Sequence, residues 1–265
     1  MPVLIRIPKH SPLVNQILVI GALLQREITS RFGKYKLGFF WMLLEPLVSV
    51  IFLGLILGSI MERTVPQIPY SFFLLNGFMF LKLFTGPMTS SMGAASSNQG
   101  LLVYASVRPL DLFLARFVFE LATSLFSYVV FCIAGLWLGV DISLAHLHVL
   151  FACFILTWIA GCGLGLIFGV AGAYFKELEK IVPLLQRPLL FTSAILAPLT
   201  AVPINIQPWF LYNPIVHTVE LSRQALFPRY FVDGPNLLYP TTFAIVVCAI
   251  GLTLFRNNRH YLSQR

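Results

Sequence analysis

Charged side chains are scarce in this sequence of 265 residues. Only 11% of the residues are Asp, Glu, Lys or Arg, whereas 58% are hydrophobic and the mean hydropathy is +0.84. A soluble domain of this length could not bury so much apolar surface in one core. The composition therefore excludes a soluble protein and predicts an integral membrane protein that uses lipid as its solvent.

The common nucleotide-binding loops are missing. The sequence has neither the Gly-x-Gly-x-x-Gly fingerprint of dinucleotide sites nor the phosphate-binding loop that ends in Gly-Lys-Ser/Thr. Gly161, Gly165 and Gly169 recur instead at four-residue steps, which is typical of a small-residue helix face that lets two backbones approach closely. If ATP drives this protein, another chain hydrolyses it.

Metal ligands are few and poorly spaced. The four cysteines all fall within apolar runs, without the paired spacing of a zinc site or a redox motif. His146 and His148 have only Asp141 as a nearby carboxylate, which is too small a set for a metal site. The sequence therefore predicts no metal and no cofactor.

The basic residues flank apolar runs, so the net charge of +8 indicates membrane topology and not nucleic-acid binding. A helix needs about 20 residues to cross a hydrocarbon core of roughly 30 Å. Six runs meet this requirement: 37–60, 70–88, 112–140, 149–171, 181–199 and 238–255. The fifth run is interrupted by Gln186, Arg187 and Pro188.

Six crossings would place both ends of the chain on one side of the membrane. Basic residues are enriched in cytoplasmic segments, so their distribution predicts the side. Fourteen of the 18 lysines and arginines would be cytoplasmic, whereas only Arg63, Arg223 and Arg229 would be external and Lys82 lies within a span. Both termini are therefore predicted to be cytoplasmic.

An N-terminal amphipathic helix is predicted before the first span. Leu13, Ile17, Ile20, Leu24 and Ile28 recur at helical spacing, and polar residues fall mostly on the other faces. This pattern is typical of a helix that lies in the membrane interface. A signal peptide is the competing interpretation, but no small-residue cleavage pattern follows the apolar part.

Four cations, here called the basic collar, precede the first span. They are Arg26, Arg31, Lys34 and Lys36, and Trp41 follows them as an interfacial aromatic residue that would fix the depth of the first helix. One hypothesis is that the collar only orients the protein. The other is that it binds a phosphate-bearing lipid anchor, which arginine's two-pronged donor geometry favours.

The second predicted span contains a lysine, Lys82, among several phenylalanines. A charge at the centre of a membrane helix costs roughly 3 kcal/mol unless it faces water or a partner. Lys82 is therefore a candidate for the wall of a translocation path. The alternative is a lysine whose long stem carries its charge to the inner membrane surface.

Two connecting segments are candidates for special roles. The cytoplasmic segment 98–104 is too short to span and is predicted to be either a docking element for a soluble partner or a plain loop. The external segment 199–238 contains Trp209 and Tyr212 beside apolar residues. That mixture predicts short helices that dip into the outer leaflet and return, with an ordinary folded loop as the alternative.

Four short motifs follow one another along the chain, and the resemblance that they carry covers nearly its whole length. They are Arg26-Glu27-Ile28-x-x-Arg31-Phe32-Gly33-Lys34-x-x-Leu37-Gly38-x-x-Trp41 with Glu45-Pro46; Phe73-Leu74-Leu75-Asn76-Gly77; Asn98-Gln99-Gly100-Leu101; and Asn213-Pro214-x-Val216-His217-x-Val219-Glu220-Leu221-Ser222-Arg223. Together they resemble the membrane permease subunits of ABC-2 type exporters, most closely those that export capsular polysaccharide in Gram-negative bacteria.

The resemblance implies a homodimer joined to two copies of a cytoplasmic ATP-binding subunit, each protomer having an interface helix and six transmembrane helices. It implies a coupling helix that receives the motion of the ATPase, formed by Asn98, Gln99, Gly100, Leu101, Leu102 and Tyr104. It also implies re-entrant helices on the periplasmic side, which would contain Asn213, Pro214, His217, Glu220 and Arg223. Residues 34–41 would form the gate into the first span, and export partners would lie in the periplasm and outer membrane.

The sequence thus predicts an all-α integral membrane protein with one domain, 1–265. Residues 1–36 would form the cytoplasmic interface and gate, 37–255 the six-helix membrane part with short re-entrant helices before the last span, and 256–265 a cytoplasmic tail. Its expected function is export of lipid-linked capsular polysaccharide across the inner membrane.

Two alternatives remain open from the sequence. One is export of another surface glycan, such as O-antigen or teichoic acid. The other is a membrane-embedded transferase that acts on lipid-linked sugars, which would need acidic or histidine catalysts converging at one membrane face. Glu45, Glu120 and Glu220 are dispersed along the chain, so the sequence favours a transporter.

The predicted topology can be tested by labelling introduced cysteines in intact cells and in inverted vesicles. Arg259→Cys should be labelled only from the cytoplasm and Asn205→Cys only from outside, because the basic residues predict cytoplasmic termini. The reverse labelling would contradict the six-span topology.

Overall fold

The computed structural model describes residues 12–33, 38–61, 64–65, 68–94 and 107–264. The helices are α1 (Pro12–Phe32), α2 (Gly38–Met61), α3 (Tyr70–Ser91), α4 (Pro109–Trp137), α5 (Leu147–Tyr174), α6 (Leu178–Thr192), α7 (Gln207–Phe210), α8 (Pro214–Leu226) and α9 (Leu238–Gln264), with a 3₁₀ turn at Leu199–Ala201. Every regular element in these ranges is helical, which confirms the predicted all-α fold.

Four helices are long and apolar enough to cross a membrane. They are α3, α4, α5 and the Leu238–Arg259 part of α9, and they coincide with the second, third, fourth and sixth predicted spans. A shorter apolar stretch, Leu43–Gly58, lies in α2 where the first span was predicted. The protein is therefore a multi-pass membrane protein, and the count of six crossings stays a prediction.

The fifth predicted span is not one helix of membrane length. α6 has 15 residues, which extend about 22 Å at 1.5 Å per residue. Pro183 and Pro188 lie inside it, and each lacks the N–H that a helix interior needs. The helix ends at Thr192, and Ala194 then adopts a positive φ of 53°, so the predicted range 181–199 is a short helix followed by non-helical backbone.

Short helical elements fill the segment between α6 and α9, which the sequence predicts to be external. α8 begins with a proline at its first turn, where the missing N–H has no cost, and it buries most of its residues against α5, α3 and α9. α7 has four residues, and its Trp209 is largely exposed. The predicted short helices are confirmed, and their entry into the outer leaflet stays a prediction.

α3 is the helix against which the others pack. Phe73, Phe80 and Leu83 on this helix have no exposed surface, because α2, α4, α5, α6 and α8 all contact it. The ring of Phe80 meets those of Tyr128 and Phe154 edge-on, each at a centroid distance of 6.0 Å. The helix that carries Lys82 is therefore held from several sides.

The predicted glycine face of α5 packs closely against α3 and α4. A Cβ atom on Gly161 would collide with the carbonyl oxygen of Phe84, and one on Gly165 would lie 2.7 Å from the carbonyl oxygen of Pro87. These neighbours are backbone atoms of α3, which cannot yield as a flexible side chain can. The packing role predicted for this face is confirmed.

Gly161→Ala should destabilise the protein by about 1–3 kcal/mol, because the added methyl group overpacks a contact between two helix backbones. Gly58→Ala is the matched control, since nothing lies within 4 Å of a Cβ at that position in α2. Thermal unfolding in detergent should show a lower midpoint only for the first variant. Equal midpoints would show that α3 and α5 can separate at little cost.

Candidate functional site

A cavity of about 530 Å³ lies between α2, α3, α4 and α6, beside the end of α1. Its lining includes three cations and two carboxylates, namely Arg31, Lys82, Arg187, Glu45 and Glu120. Charged groups within membrane helices are costly and usually serve a function. This cavity is therefore the candidate functional site.

Lys82 faces the cavity and pairs with a carboxylate of the neighbouring helix. Its Nζ atom lies 2.8 Å from Oε2 of Glu45 on α2. The side chain of Lys82 is 28% exposed and that of Glu45 is 71% exposed. The ammonium group of Lys82 therefore has an anionic partner within the described residues, which reduces the free-energy cost of a charge in a membrane helix.

Arg31 is held at the cavity by two carboxylates. Its Nε donates to Oε1 of Glu27 at 2.9 Å, and its Nη1 donates to Oε1 of Glu120 at 2.8 Å. The guanidinium also lies over the ring of Phe119, 4.7 Å from the centroid. Glu120 is nearly buried, so Arg31 supplies the positive charge that a buried carboxylate requires.

The contacts of Arg31 belong to a stripe that fixes α1 on α4. Near the other end of α1, Nε2 of Gln16 donates to Oδ1 of Asp111 at 2.9 Å, and Leu23 packs in a small apolar cluster between the two polar ends. Ile17 and Ile28, which belong to the apolar face predicted from the sequence, are exposed. Ile17 and Ile28 are therefore available to lipid, whereas Ile20 of the same predicted face packs against the cluster of Leu23.

A second polar cluster is buried between α3, α4 and α8. Arg223 on α8 has no exposed surface, and its nearest carboxylate is Glu220 at 3.5 Å. Its Nη1 donates to the carbonyl of Ala194 at 2.6 Å, and its Nη2 donates to the carbonyl of Phe73 at 3.1 Å. The guanidinium also lies 3.4 Å from the centroid of the Phe73 ring.

This cluster joins the motif at 73–77 to the motif at 213–223. Nδ2 of Asn76 donates to Oγ of Ser222 at 2.8 Å, and the hydroxyl of Tyr128 donates to Oδ1 of Asn76 at 2.7 Å. Two motifs that lie far apart in the sequence thus form one buried site. Because it is closed to solvent, its role is to hold α3, α4 and α8 together.

Asn213 and His217 join α8 to the segments before and after it. Asn213 caps the helix by accepting from the backbone N–H two residues ahead, while its Nδ2 donates to Oγ of Ser193 at 2.9 Å. Nδ1 of His217 accepts from the backbone N–H of Asn236, so its Nε2–H donates to the carbonyl of Leu211. Burial lowers the pKa of His217 below its ordinary value, which keeps the ring neutral.

The structure brings together only part of the predicted site. Lys34, Lys36 and the predicted coupling segment 98–104 lie outside the described residues, as does the side chain of Trp41 in α2. Arg26 lies on an exposed side of α1. Arg31 and Lys82 do line the same cavity.

Three charged residues of the cavity were not predicted as part of the site: Glu45, Glu120 and Arg187. A sequence signal existed, because a charge inside an apolar run requires a partner. The signal does not identify the partner, however, since Lys82 and Glu45 are 37 positions apart and Arg31 and Glu120 are 89 positions apart.

The profile of the ABC-2 type transporter family matches residues 19–227. The chain belongs to this family. The polysialic acid transport protein KpsM of Escherichia coli is 39% identical over 245 residues, which are 91% of this chain and 93% of KpsM. The capsule polysaccharide export inner-membrane protein CtrC of Neisseria meningitidis is 27% identical over 243 residues, 91% of either chain. The O-antigen export system permease protein RfbA of Klebsiella pneumoniae is 23% identical over 246 residues, 90% of this chain and 91% of RfbA.

Membership of this family confirms the resemblance carried by the four motifs. The chain is the membrane subunit of an ABC transporter and not an enzyme, so the transferase alternative is wrong. An ABC transporter works with an ATP-binding partner, which agrees with the lack of nucleotide-binding loops in this sequence. The cavity between the helices is the candidate functional site of this ABC-2 permease.

Arg31→Gln and Glu120→Gln should each destabilise the protein by about 1–3 kcal/mol, because each replaces the ion pair between α1 and α4 by at most a neutral hydrogen bond. The double variant should lose less than the sum of the two single losses, since the second change removes a charge whose partner on the other helix is already gone. Thermal unfolding in detergent measures this coupling, with Lys180→Gln on the exposed side of α6 as the control. Strict additivity would show that the pair does not fix α1 on α4.

Proposed function

We propose that this permease exports a lipid-linked capsular polysaccharide across the bacterial inner membrane, driven by ATP that a separate subunit hydrolyses. The observation that carries the proposal is a charged cavity between membrane helices in a chain without a nucleotide-binding loop. Relatives named for polysialic acid transport and for capsule polysaccharide export support this choice of substrate.

The lining of the cavity suits a glycan. Besides its charges it presents the hydroxyl groups of Ser49, Thr85 and Thr89 and the amide of Gln186. Its volume of about 530 Å³ is within the range of roughly 300–1,000 Å³ that small-molecule sites occupy. Such a volume holds a short segment of a glycan polymer, so the polymer would pass through it in an extended form.

The assembly we propose is a homodimer with two copies of the ATP-binding subunit. Segment 98–104 would receive the motion of that subunit, and both termini would lie in the cytoplasm. The basic collar would lie at the level of the lipid phosphates, where it attracts an anionic anchor. Partners in the periplasm and outer membrane would take over the polymer after export.

Export of another surface glycan is the second candidate. The similarity to the O-antigen permease RfbA supports it, but that identity is 23%, against 39% for KpsM. Both candidates require a lipid-linked glycan and an ATP-binding partner. They differ in the sugars of the polymer, so a transport assay with defined glycans separates them.

The function is tested by reconstituting the chain with its ATP-binding subunit in lipid and measuring ATP turnover. A lipid-linked capsular glycan should raise the turnover, whereas the same glycan without its lipid should not. A lipid-linked O-antigen that stimulates more strongly would favour the second candidate. No response to any lipid-linked glycan would contradict the proposed export function.

The proposed coupling segment is tested in the same system. Leu101→Asp with Leu102→Asp should leave the permease folded and abolish binding of the ATP-binding subunit, because two carboxylates would be desolvated at an apolar contact. Leu101→Met with Leu102→Met keeps the apolar surface and is the control. Co-purification measures binding, and normal binding by the aspartate variant would remove the assignment.

A further inference from the structure

The two partners of the ion pair between Lys82 and Glu45 differ in their exposure to solvent. The lysine side chain is 28% exposed on a helix packed from several sides, whereas the carboxylate is 71% exposed on α2. A pair with one partner this open contributes at most about 1 kcal/mol, yet a lysine within a membrane helix requires an anion nearby. Lys82 therefore needs a counter-ion, and Glu45 is one that another anion can replace.

The charges at the cavity do not balance. Glu120 is matched by Arg31 and Glu45 by Lys82. Glu27, which also pairs with Arg31, is balanced by the nearby Arg116. Arg187 on α6 is exposed, lines the cavity and has no hydrogen bond or ion pair within the described part of the chain. The excess of one positive charge fits an occupant that carries one negative charge.

The neutral groups of the cavity restrict where that negative charge can lie. The hydroxyls of Ser49, Thr85 and Thr89 all donate to backbone carbonyls of their own helices. They present only lone pairs to the cavity, which repel an anion but accept hydrogen bonds from sugar hydroxyls. Among the groups described, an anion is favoured beside Lys82 and Arg187.

We infer that the cavity binds one monoanionic group, a phosphodiester or a carboxylate, at Lys82, and that Glu45 is an internal counter-ion which this group displaces. The inference rests on the proposed export function and adds the recognised group to it. The ammonium of Lys82 exchanges one oxygen anion for another, so its charge stays compensated while a ligand enters or leaves.

The position of Glu45 in α2 suits such an exchange. Pro46 follows it inside the helix and has no N–H to donate to the preceding turn. A helix is more easily bent at such a point. A bend of α2 at Pro46 can therefore move the carboxylate of Glu45 away from Lys82 without breaking a backbone hydrogen bond at the proline.

The test measures anion binding to the purified chain in nanodiscs of phosphatidylcholine, without the ATP-binding subunit. The probes are dihexanoyl phosphatidylglycerol, which has a phosphodiester monoanion, and the methyl glycoside of sialic acid, which has one carboxylate. Dihexanoyl phosphatidylcholine is the zwitterionic control. Binding of either anion, but not of the control lipid, is expected, and the tighter probe identifies the source of the recognised group.

The variants distinguish a displaced counter-ion from a simple structural pair. Glu45→Gln should bind the anion roughly threefold more tightly, because the internal competitor is gone. Lys82→Met should bind it about tenfold more weakly, and Lys82→Arg should retain binding. In the Lys82→Met background, Glu45→Gln should have no further effect. Glu177→Gln changes the net charge equally at an exposed position away from the cavity and should bind like the unchanged protein.

Several results would overturn the inference: equal binding of the zwitterionic lipid, no binding of either anion, weaker binding by Glu45→Gln, or equal tightening by Glu45→Gln with and without Lys82. Folding is checked by size-exclusion profiles, and Lys82→Arg reports on the charge if Lys82→Met does not fold. Because the ATP-binding subunit is absent, failure here leaves the export function standing. Anion binding without glycan-stimulated ATP turnover would instead contradict the export function alone.

Discussion

The part of this fold between α6 and α9 depends on a buried guanidinium that satisfies backbone carbonyls. After α6 ends, the carbonyls of Ala194 and Ile195 have left regular helix, and Arg223 donates to both of them. An unsatisfied carbonyl in apolar surroundings costs several kcal/mol. This cost is several times the free energy that a helix cap contributes. The side chain and the irregular backbone therefore stabilise each other, and α3 joins them through Phe73.

The charges near the cavity are organised differently. The cluster of Arg223 and Glu220 has no exposed surface, whereas Arg31, Lys82 and Glu45 are all partly exposed. A fully buried pair cannot exchange partners without leaving a charge uncompensated. A partly exposed pair can, because water or a ligand replaces the lost partner. The charges around Arg223 thus fix the structure, whereas those at the cavity can exchange partners.

Local patterns in the sequence predicted much of the fold and less of the site. The apolar runs predicted the positions of the long helices, and the spacing of Gly161, Gly165 and Gly169 predicted close helix packing, because both signals repeat within a few turns. The stripe of Gln16, Leu23 and Arg31 on α1 was missed, since polar residues on an interface helix are ordinarily assigned to water. Pairing of charges was also invisible, because it depends on which helices become neighbours.

The lack of side chains at the contact between α5 and α3 has a mechanical consequence. Backbones that touch directly cannot slide past one another by rotating side chains, so α5 is a stiff support for α3, whose residues line the cavity. Across the cavity lie α2, which contains one proline, and α6, which contains two. Displacement of α2 or α6 would widen the cavity and leave the contact between α3 and α5 intact.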